Sequence, residues 1–526
     1  MAKVLSLKDV DVKGKIVFVR TSYDVPLDTS KKPLDPTRVR DDSRISDTIP
    51  TLKYLLSQNA KIILEPGWLG RPKGEDPELG MAPVVLRLSE LLKEQNALKH
   101  PILLTPNSLD GSRPRSVYRN QEEVKKDVSK LKEAQIIVLE NVRFDPEANA
   151  NSREFAEYIA SLCGKNAVYV NEAEAQNHRP EATITTVPGI IARNGGAAVF
   201  GFKCEDVIKY IGSISKILSD KKRGSFVFFL SGKKIETQVG ITSKISVTNS
   251  LLDKMRKEDV LVVQGAVTYT FLVADKYLAT MEKNMPNVNE IIDACNNKIK
   301  EETEKIKGKK DPNASQLTVD MQILMQKQKS NKLLEIIGIK EDEIKALIGS
   351  SFMEWKEIGE QLAFAAQVML KAKSKEVSVL LNSDHTITDK FPDKSGNLPS
   401  DAEIKTFGSP LGIPQGFLGV APGKNTVDEI CKEVLKSKLL ILAGPLSIED
   451  DNVEKISNSN KKTFEAILKA KKNGAVTIGA GGDTSAIIRK HNAEDAFTIV
   501  SNAGGATLEL IEKGTLPGIK AVEDCY

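Results

Sequence analysis

Gly479-Ala480-Gly481-Gly482-Asp483-Thr484 is the stretch that decides the fold, and a similar one, Ser501-Asn502-Ala503-Gly504-Gly505-Ala506-Thr507-Leu508-Glu509, follows downstream. Each stretch comes after an apolar run and before a helix-forming segment, so each is expected to turn a strand into a helix. Small residues in such a turn allow backbone N–H groups to approach phosphate oxygens. One turn of this kind is also an ordinary tight connection. Two of them in one parallel sheet favour a nucleotide site.

Short apolar runs alternate with helical stretches on both sides of these turns. Strand-length runs that alternate with helices are typical of parallel sheets covered on both faces. The predicted strands are 15–20, 60–64, 101–104, 135–139, 167–170, 225–230, 260–263, 377–381, 439–442, 475–478 and 497–500. The sequence therefore predicts an α/β fold of two doubly wound, Rossmann-like parallel sheets joined by a hinge, with ligands beyond the carboxyl ends of the strands.

The length of 526 residues exceeds what one hydrophobic core usually organises, so we expect two domains. The N-terminal domain is predicted at residues 1–197 and a hinge helix at 198–223. The C-terminal domain is predicted at 224–505. The final residues, 506–526, are predicted to return to the N-terminal domain.

One segment, 278–354, breaks the alternation with helical sequence rich in Lys, Glu and Asn. It is either a solvated helical insertion in the C-terminal domain or a docking element for a protein partner. Leu333, Leu334, Ile336 and Ile337 form an apolar cluster that either hypothesis accommodates.

The composition argues against several classes of partner. There are 75 Lys and Arg residues against 71 Asp and Glu, and a net charge of +4 over this length predicts no nucleic-acid and no membrane partner. The 5 cysteines are scattered without CxxC spacing, so neither a disulfide framework nor a zinc site is indicated. With no long apolar run, the chain is expected to be soluble, cytoplasmic and otherwise monomeric.

Arginines recur at predicted strand ends or in neighbouring loops of the N-terminal half. They are Arg20, Arg44, Arg71, Arg143 and Arg179. Guanidinium groups bind phosphate and carboxylate bidentately and keep their charge, so a convergence of arginines would create a small-anion site. Any one of them alone is more often a surface salt-bridge partner.

Seven motifs stand in the order and approximate spacing of the phosphoglycerate kinase family, which this chain resembles from about residue 5 to residue 523, with 278–354 as an interruption. They are Arg20 to Leu27, Leu69-Gly70-Arg71-Pro72-Lys73-Gly74, Glu140-Asn141-Val142-Arg143-Phe144, Ile413-Pro414-Gln415-Gly416, Ala443-Gly444-Pro445, Gly481-Gly482-Asp483-Thr484 and Gly504-Gly505-Ala506-Thr507-Leu508-Glu509-Leu510.

The resemblance implies a bilobed, glycolytic phosphotransferase. Such an enzyme moves a phosphoryl group between 1,3-bisphosphoglycerate and Mg-ADP. The N-terminal lobe would bind the small anionic triose phosphate and the C-terminal lobe ADP or ATP with magnesium. Closure about the hinge would then exclude water.

The resemblance also implies site residues. The substrate-binding positions are Ser22, Asp24, Arg44, Arg71, Arg143, His178 and Arg179. The catalytic positions are Arg44, Lys234, Lys244, Gly504 and Gly505, with Arg44 and Lys234 on the phosphoryl group in flight. The nucleotide-binding positions are Gly232, Lys234, Gly265, Pro445, Asp450, Gly481, Gly482, Asp483 and Thr484, and Asp483 is also the metal position.

Several positions depart from the family pattern. Ser22 stands where the family has a carboxylate, Asp24 where it has an amide, and Trp68 where it has a histidine. A carboxylate at Asp24 would lie beside an anionic substrate and weaken its binding. Ala443 replaces an asparagine and Asn502 a threonine.

The second lysine of the nucleotide lobe has two alternative positions. Direct spacing gives Gln238, whereas a short insertion brings Lys244 into register. We favour the alignment with Lys244.

Three hypotheses about function follow. The first is phosphoglycerate kinase chemistry with weakened activity. The second is a catalytically inactive scaffold whose helical insertion docks a partner. The third is a kinase for a different small anionic substrate, because Ser22, Asp24 and Trp68 alter a pocket whose arginines remain.

Overall fold

The computed structural model describes residues 6–106, 114–232, 244–283, 297–298, 300–302, 304–305, 314–353, 355–393, 397–448 and 454–526. The chain divides into two compact units. Unit 1 comprises Met1–Ile214 together with Asn502–Tyr526, and unit 2 comprises Ser215–Ser501.

Unit 1 is built on a parallel sheet of six strands. The strands are β1 (Ile16–Arg20), β2 (Lys61–Glu65), β3 (Leu103–Thr105), β4 (Gln135–Leu139), β5 (Val168–Asn171) and β6 (Ala197–Phe200). They lie in the order β3-β4-β2-β1-β5-β6, and every pair is parallel. All residues of β4 and β5 are buried, as expected for strands covered on both faces.

Helices cover this sheet. They are α1 (Ser43–Ser46), α2 (Ile49–Ser57), α3 (Ala82–Glu94), α4 (Gln121–Val128), α5 (Pro146–Asn149), α6 (Arg153–Cys163), α7 (Val187–Arg193), α8 (Phe202–Ile211) and α9 (Ile214–Ser219), the last of which runs into unit 2. Apolar residues such as Leu52, Leu55 and Leu88 pack on the strands in one buried core.

Unit 2 contains a second parallel sheet. Its strands are β7 (Phe226–Leu230), β8 (Val260–Val263), β9 (Ser378–Leu380), β13 (Leu439–Ala443), β14 (Val476–Ala480) and β15 (Ile499–Ser501), in the order β15-β14-β13-β7-β8-β9. A smaller antiparallel sheet, in the order β11-β10-β12, consists of β10 (His385–Thr388), β11 (Ile404–Phe407) and β12 (Leu418–Pro422).

The helices of unit 2 are α10 (Lys244–Lys254), α11 (Val267–Lys276), α12 (Ala314–Ile337), α13 (Glu341–Ile348), α14 (Ile358–Ser374), α15 (Lys424–Lys436), α16 (Glu454–Lys472) and α17 (Gly482–Lys490). Two further helices, α18 (Gly505–Lys513) and α19 (Pro517–Glu523), belong to unit 1. No helix in the described part of the chain is long and apolar enough to cross a membrane.

The last residues of the chain are joined to unit 1 by hydrogen bonds to main-chain carbonyl groups. The N–H of Gly518 donates to the carbonyl of Asn177 at 2.9 Å. The hydroxyl of Tyr526 donates to the carbonyl of Ala198, in the edge strand β6, at 2.7 Å.

The predicted fold class is confirmed, and each of the predicted strands overlaps a strand of the structure. Strand β6 and the antiparallel sheet were not predicted. Residues 198–223, predicted as one hinge helix, contain the end of β6 and then α8 and α9. The unit boundaries after Ile214 and Ser501 differ from the predicted domain ranges, and a hinge stays a prediction.

The described part of the 278–354 segment is helical and contains no strand. Its apolar cluster packs inward, because Leu333, Leu334 and Ile337 are at most 5% exposed. Helices α12 and α14 approach closely at Gly359, whose N–H donates to Ser330 Oγ at 2.8 Å. These leucines and this isoleucine therefore serve the core of unit 2.

Candidate functional site

The candidate anion site of unit 1 lies at the carboxyl ends of four neighbouring strands. In the order β4-β2-β1-β5, the segments after these strands carry Arg143, Arg71, Asp24 and Arg179. Parallel strands present their carboxyl ends at the same edge of a sheet. The topology thus brings together residues that are far apart in sequence.

Arg44 approaches from the short helix α1, which follows the loop after β1. Its Nη1 donates to the carbonyl oxygen of Asp24 at 2.5 Å. The Asp24 carboxylate turns to the main chain, where Oδ1 accepts the N–H of Gly70 at 3.0 Å. This hydrogen bond offsets part of the negative charge that Asp24 adds to the site.

Arg143 is half-buried on a 3₁₀ turn, Val142–Phe144, whose N-cap is the side chain of Asn141. Its Nη1 donates to the carbonyl of Gly70 at 2.6 Å. Burial lowers the pKa of Arg143; the Asp24 carboxylate opposes this, and the positive charge of Arg71 adds to it. Positive charge is therefore concentrated at this strand edge.

Arg71 and Arg179 have exposed side chains. Neither side chain makes a hydrogen bond or an ion pair with a residue in the described ranges. Their guanidinium groups are thus available to an incoming anion.

Trp68 lies among these arginines, after β2, and is only 7% exposed. The guanidinium carbon Cζ of Arg143 lies 4.2 Å from the centroid of the indole ring, and that of Arg179 lies 5.2 Å from it. Both distances are within the range of cation–π attraction. Within the described part of the chain, the buried indole Nε1 has no hydrogen-bond partner.

Ser22 Oγ and His178 Nδ1 are also buried, and neither has a hydrogen-bond partner in the described ranges. Ser22 lines a small cavity with Arg44, Asp47 and Lys203. Burial lowers the pKa of His178, and the positive charge of Arg179 adds to the effect. The neutral imidazole is therefore favoured.

Arg20 does not join the anion site, which corrects the expectation that it lines a convergent arginine cluster. Its side chain is fully buried, with Nε 2.9 Å from Glu65 Oε2 and Nη2 3.1 Å from Glu181 Oε2. Burial raises the pKa of Glu181 to about 7, against the lowering effect of Arg20. Arg20 acts as an internal counter-ion.

Glu172, directly after β5, accepts hydrogen bonds from the first turn of α8. The N–H of Cys204 donates to Oε2 at 3.0 Å, and the N–H of Lys203 to Oε1 at 3.2 Å. Burial raises the pKa of Glu172 to about 7, although these bonds and the Thr51 hydroxyl lower it. Glu172 therefore caps a helix.

Lys203 and Asp47 beside the Ser22 cavity were not found by sequence analysis. Lys203 Nζ lies 3.5 Å from Asp47 Oδ2. Lys203 lies in α8 and Asp47 in the turn between α1 and α2, and no motif or spacing in the sequence marks them as members of a site.

The candidate nucleotide site of unit 2 repeats the same arrangement. In the order β14-β13-β7-β8, the four neighbouring strands are followed by the turns that contain Gly481, Gly444, Gly232 and Gly265. The φ angles of these glycines are +109°, +108°, +113° and +69°. All four lie in the region that favours glycine.

Gly444 and Gly265 have no space for a side chain. A Cβ on Gly444 would lie 2.1 Å from the carbonyl oxygen of Ser231, and one on Gly265 would lie 2.8 Å from the backbone N of Gly232. The turns after β13, β7 and β8 thus pack backbone against backbone. Pro445 belongs to this packing, since its carbonyl accepts the hydroxyl of Ser231 at 2.6 Å.

Gly481 and Gly482 lead into α17, which begins at Gly482. Thr484 Oγ1 accepts the N–H of Gly444 at 2.8 Å and donates to the carbonyl of Ala480 at 2.9 Å, so it joins two turns. Asp483 lies exposed in the first turn of α17.

Gly504 and Gly505 open α18, where Gly504 has φ +51°. The amide of the preceding Asn502 donates to the carboxylate of Asp47 within unit 1. The two glycines thus start a helix, as expected, and its residues group with unit 1.

Some predicted positions lie outside the described residues. Lys234, Gln238 and Asp450 are among them, so their predicted roles stay predictions. Lys244 is the first residue of α10.

Magnesium fits the donor set at the start of α17. No group of three or more His, Cys, Asp or Glu side chains that could hold a metal ion occurs within the described ranges. Magnesium usually binds through one or two carboxylates, together with water and nucleotide phosphates. The exposed carboxylate of Asp483 meets that requirement.

Comparisons with known proteins agree with this geometry. The sequence profile of the family described as phosphoglycerate kinase matches residues 7–349 and 342–514. The phosphoglycerate kinase of Dictyoglomus turgidum is 29% identical over 526 residues, which is 100% of both chains. The cytosolic phosphoglycerate kinase of Triticum aestivum is 28% identical over 519 residues, 99% of this chain and 98% of the relative.

Solved structures show the same fold. Phosphoglycerate kinase from Coxiella burnetii has a TM-score of 0.61 at 23% identity, and that from Pyrococcus horikoshii OT3 a TM-score of 0.64 at 17% identity. Each comparison covers 99% of both chains. The resemblance identified from the motifs is confirmed by the profile match over most of the sequence: the chain belongs to the phosphoglycerate kinase family.

Proposed function

We propose that this chain transfers a phosphoryl group between 1,3-bisphosphoglycerate and Mg-ADP, with weakened activity. The observation that carries the proposal is the cluster of Arg71, Arg143 and Arg179 at adjacent strand ends. The exposed guanidinium groups of Arg71 and Arg179 make no ion pair with a described residue. A small dianion would neutralise this concentration of positive charge.

The arginines of unit 1 would bind and orient the triose phosphate. Phosphoryl transfer depends on positioning and charge stabilisation rather than on a base of special pKa. In this proposal Arg44 stabilises the charge on the phosphoryl group in flight. Its hydrogen bond to the carbonyl of Asp24 supports the guanidinium group beside the pocket.

The glycine turns of unit 2 would bind the nucleotide phosphates through main-chain groups. The first turn of α17 presents N–H groups and the positive end of a helix dipole, and Gly482 has open space where a Cβ would stand. Asp483 would hold magnesium, which supplies charge neutralisation on the phosphate oxygens when bound. Lys234 and Lys244 keep their predicted roles beside the phosphoryl group.

Weakened activity is inferred from the altered substrate pocket. The carboxylate of Asp24 lowers the attraction of the arginine cluster for an anion, although its bond to Gly70 N–H limits the effect. Trp68 adds a bulky ring that engages two of the arginines. We expect the carboxylate of Asp24 to raise the KM for the triose phosphate.

A coupled assay of the purified protein with 3-phosphoglycerate and Mg-ATP tests the proposal. Turnover should exceed background, and R71M should lower kcat/KM about 30-fold, because it removes a charged hydrogen-bond donor worth about 2 kcal/mol. The matched control is R153M, which makes the same change at an exposed arginine on α6. Background turnover in a protein that circular dichroism shows to be folded would refute the proposal.

An inactive scaffold remains the alternative if that assay fails. The apolar cluster at Leu333, Leu334 and Ile337 does not favour it, because those side chains are buried within unit 2. Calorimetry with Mg-ADP separates the alternatives further. A protein that binds Mg-ADP but shows no turnover would retain the nucleotide site of unit 2 without the proposed activity.

A further inference from the structure

Trp68 is placed among charges that an indole does not usually meet in a protein interior. It follows β2 by a few residues and lies between the segments that carry Arg143 and Arg179. Both guanidinium groups approach the same ring, at 4.2 Å and 5.2 Å from its centroid. The face of an aromatic ring carries negative potential, so the indole attracts both cations and lowers the cost of holding them together.

The N–H group at the edge of the same ring is the second observation that points to a ligand. Nε1 is buried and has no hydrogen-bond partner among the residues that the structure describes, whereas buried indole N–H groups usually find one. A donor that is closed to solvent cannot be satisfied by bulk water, so a bound ligand is the natural source of its acceptor. The cation–π contacts use the ring faces and leave the in-plane N–H free to donate.

The two arginines beside the ring are held with different firmness. Arg179 is exposed and its side chain has no hydrogen bond or ion pair within the described ranges, so it can change rotamer at little cost. Arg143 is fixed more firmly by its 2.6 Å bond to the carbonyl of Gly70. Arg179 is thus the member of the pair that can adjust to an anion, while Arg143 keeps its place beside the ring.

We propose that Trp68 is a specificity-determining residue of the arginine site: its ring holds Arg143 and Arg179 together, and its N–H donates to an oxygen of the bound anion. This inference rests on the proposed function for the identity of the anion. An indole N–H donates only and has no charge. It therefore favours ligands that present a carboxylate or phosphate oxygen at the ring edge.

The test uses the fact that the chain contains 2 tryptophans, Trp68 and Trp355. In a W355F background, Trp68 is the only indole and its emission reports on its own surroundings. Titration with 3-phosphoglycerate should shift that emission with the same Kd that calorimetry gives. W68F keeps an aromatic face for the arginines but removes the N–H, and it should weaken binding about tenfold.

W355F is also the matched control, because it makes the same substitution at a tryptophan in unit 2 and should leave the Kd unchanged. If folded W68F bound 3-phosphoglycerate as tightly as the parent protein, the role assigned to the N–H would be wrong. If the parent protein bound no 3-phosphoglycerate, the proposed function would fail instead. Inorganic phosphate would then serve as the probe: an emission shift with weaker binding by W68F supports the role of Trp68, and no shift overturns it.

Discussion

The two candidate sites occupy equivalent places in their sheets but are built from different parts of the chain. In unit 1 the functional groups are side chains, above all Arg71, Arg143 and Arg179. In unit 2 they are main-chain groups, placed by glycines such as Gly444 and Gly481 that adopt positive φ angles. Each set follows four neighbouring parallel strands.

This difference determines how each candidate site can change. A main-chain site depends on backbone shape, so it is preserved wherever the required glycines are kept. A side-chain site can be altered one residue at a time, as at Asp24 and Trp68, while the fold stays unchanged. The candidate anion site of unit 1 is therefore the more adaptable of the two.

The largest expected effect comes from adding one methyl group to the main-chain site. G444A places a Cβ 2.1 Å from the carbonyl oxygen of Ser231 at φ +108°, and should lower the free energy of unfolding of unit 2 by about 3 kcal/mol. G482A, with nothing within 4 Å of the added Cβ, should change it by less than about 1 kcal/mol. Urea unfolding followed by Trp355 emission in a W68F background measures both.

Equal losses of unfolding free energy in G444A and G482A would contradict the view that backbone shape at particular glycines determines this site. They would show that unit 2 is destabilised by replacing any glycine. A tolerated G444A would show that its turn can adopt another shape.

A second expected effect is a difference between the two units in how their stability depends on pH. The buried carboxyls of Glu172 and Glu181 have pKa values raised from 4.5 to about 7. Because the folded state binds these protons more tightly than the unfolded state, the stabilisation is fully present below about pH 4.5 and is lost as pH rises through about 7. The free energy of unfolding of unit 1 should therefore fall between about pH 5 and about pH 8.

Single-tryptophan proteins allow the two units to be compared. W355F reports on unit 1 through Trp68, and W68F reports on unit 2 through Trp355. E172Q cannot ionise at this position and should weaken the pH dependence of unit 1, while Glu181 keeps its own share. An equal decline in both units would contradict the assignment of this effect to the buried carboxyls of unit 1.

The smallest expected effect is tighter binding of the substrate by a variant. D24N removes a negative charge beside the arginines but keeps an oxygen that can accept the N–H of Gly70. The KM for 3-phosphoglycerate should fall about threefold to tenfold, while the Kd for Mg-ADP, which depends on unit 2, stays constant. Steady-state kinetics and calorimetry measure the two values; a higher KM would show that the carboxylate aids binding.

Much of the fold could be predicted because the central strands are continuous apolar runs. Phe226–Leu230 and Gln135–Leu139 are buried along their whole length and stand out in the sequence. The antiparallel sheet did not stand out, since strands such as His385–Thr388 are short and polar. Strand Ala197–Phe200 was missed for a related reason: its alanines carry little β propensity.

The candidate site could be predicted only where chain topology decides it. Arg71 and Arg143 had to meet because they follow neighbouring parallel strands. Arg20 follows the same rule, yet it turns inward because Glu65 and Glu181 neutralise it there. Side-chain pairing of this kind, like the contact of Trp68 with two arginines, depends on packing between distant segments and leaves no local pattern.

The return of Asn502–Tyr526 to unit 1 has a consequence for synthesis on the ribosome. The residues that bond to Asn177 and Ala198 are translated only after the whole of unit 2 has been made. During translation of unit 2, the edge strand β6 of nascent unit 1 therefore lacks these hydrogen-bond partners. Once Ser501 has been added, unit 2 contains all of its residues, whereas unit 1 still lacks its last segment. The order of folding need not follow the order of translation.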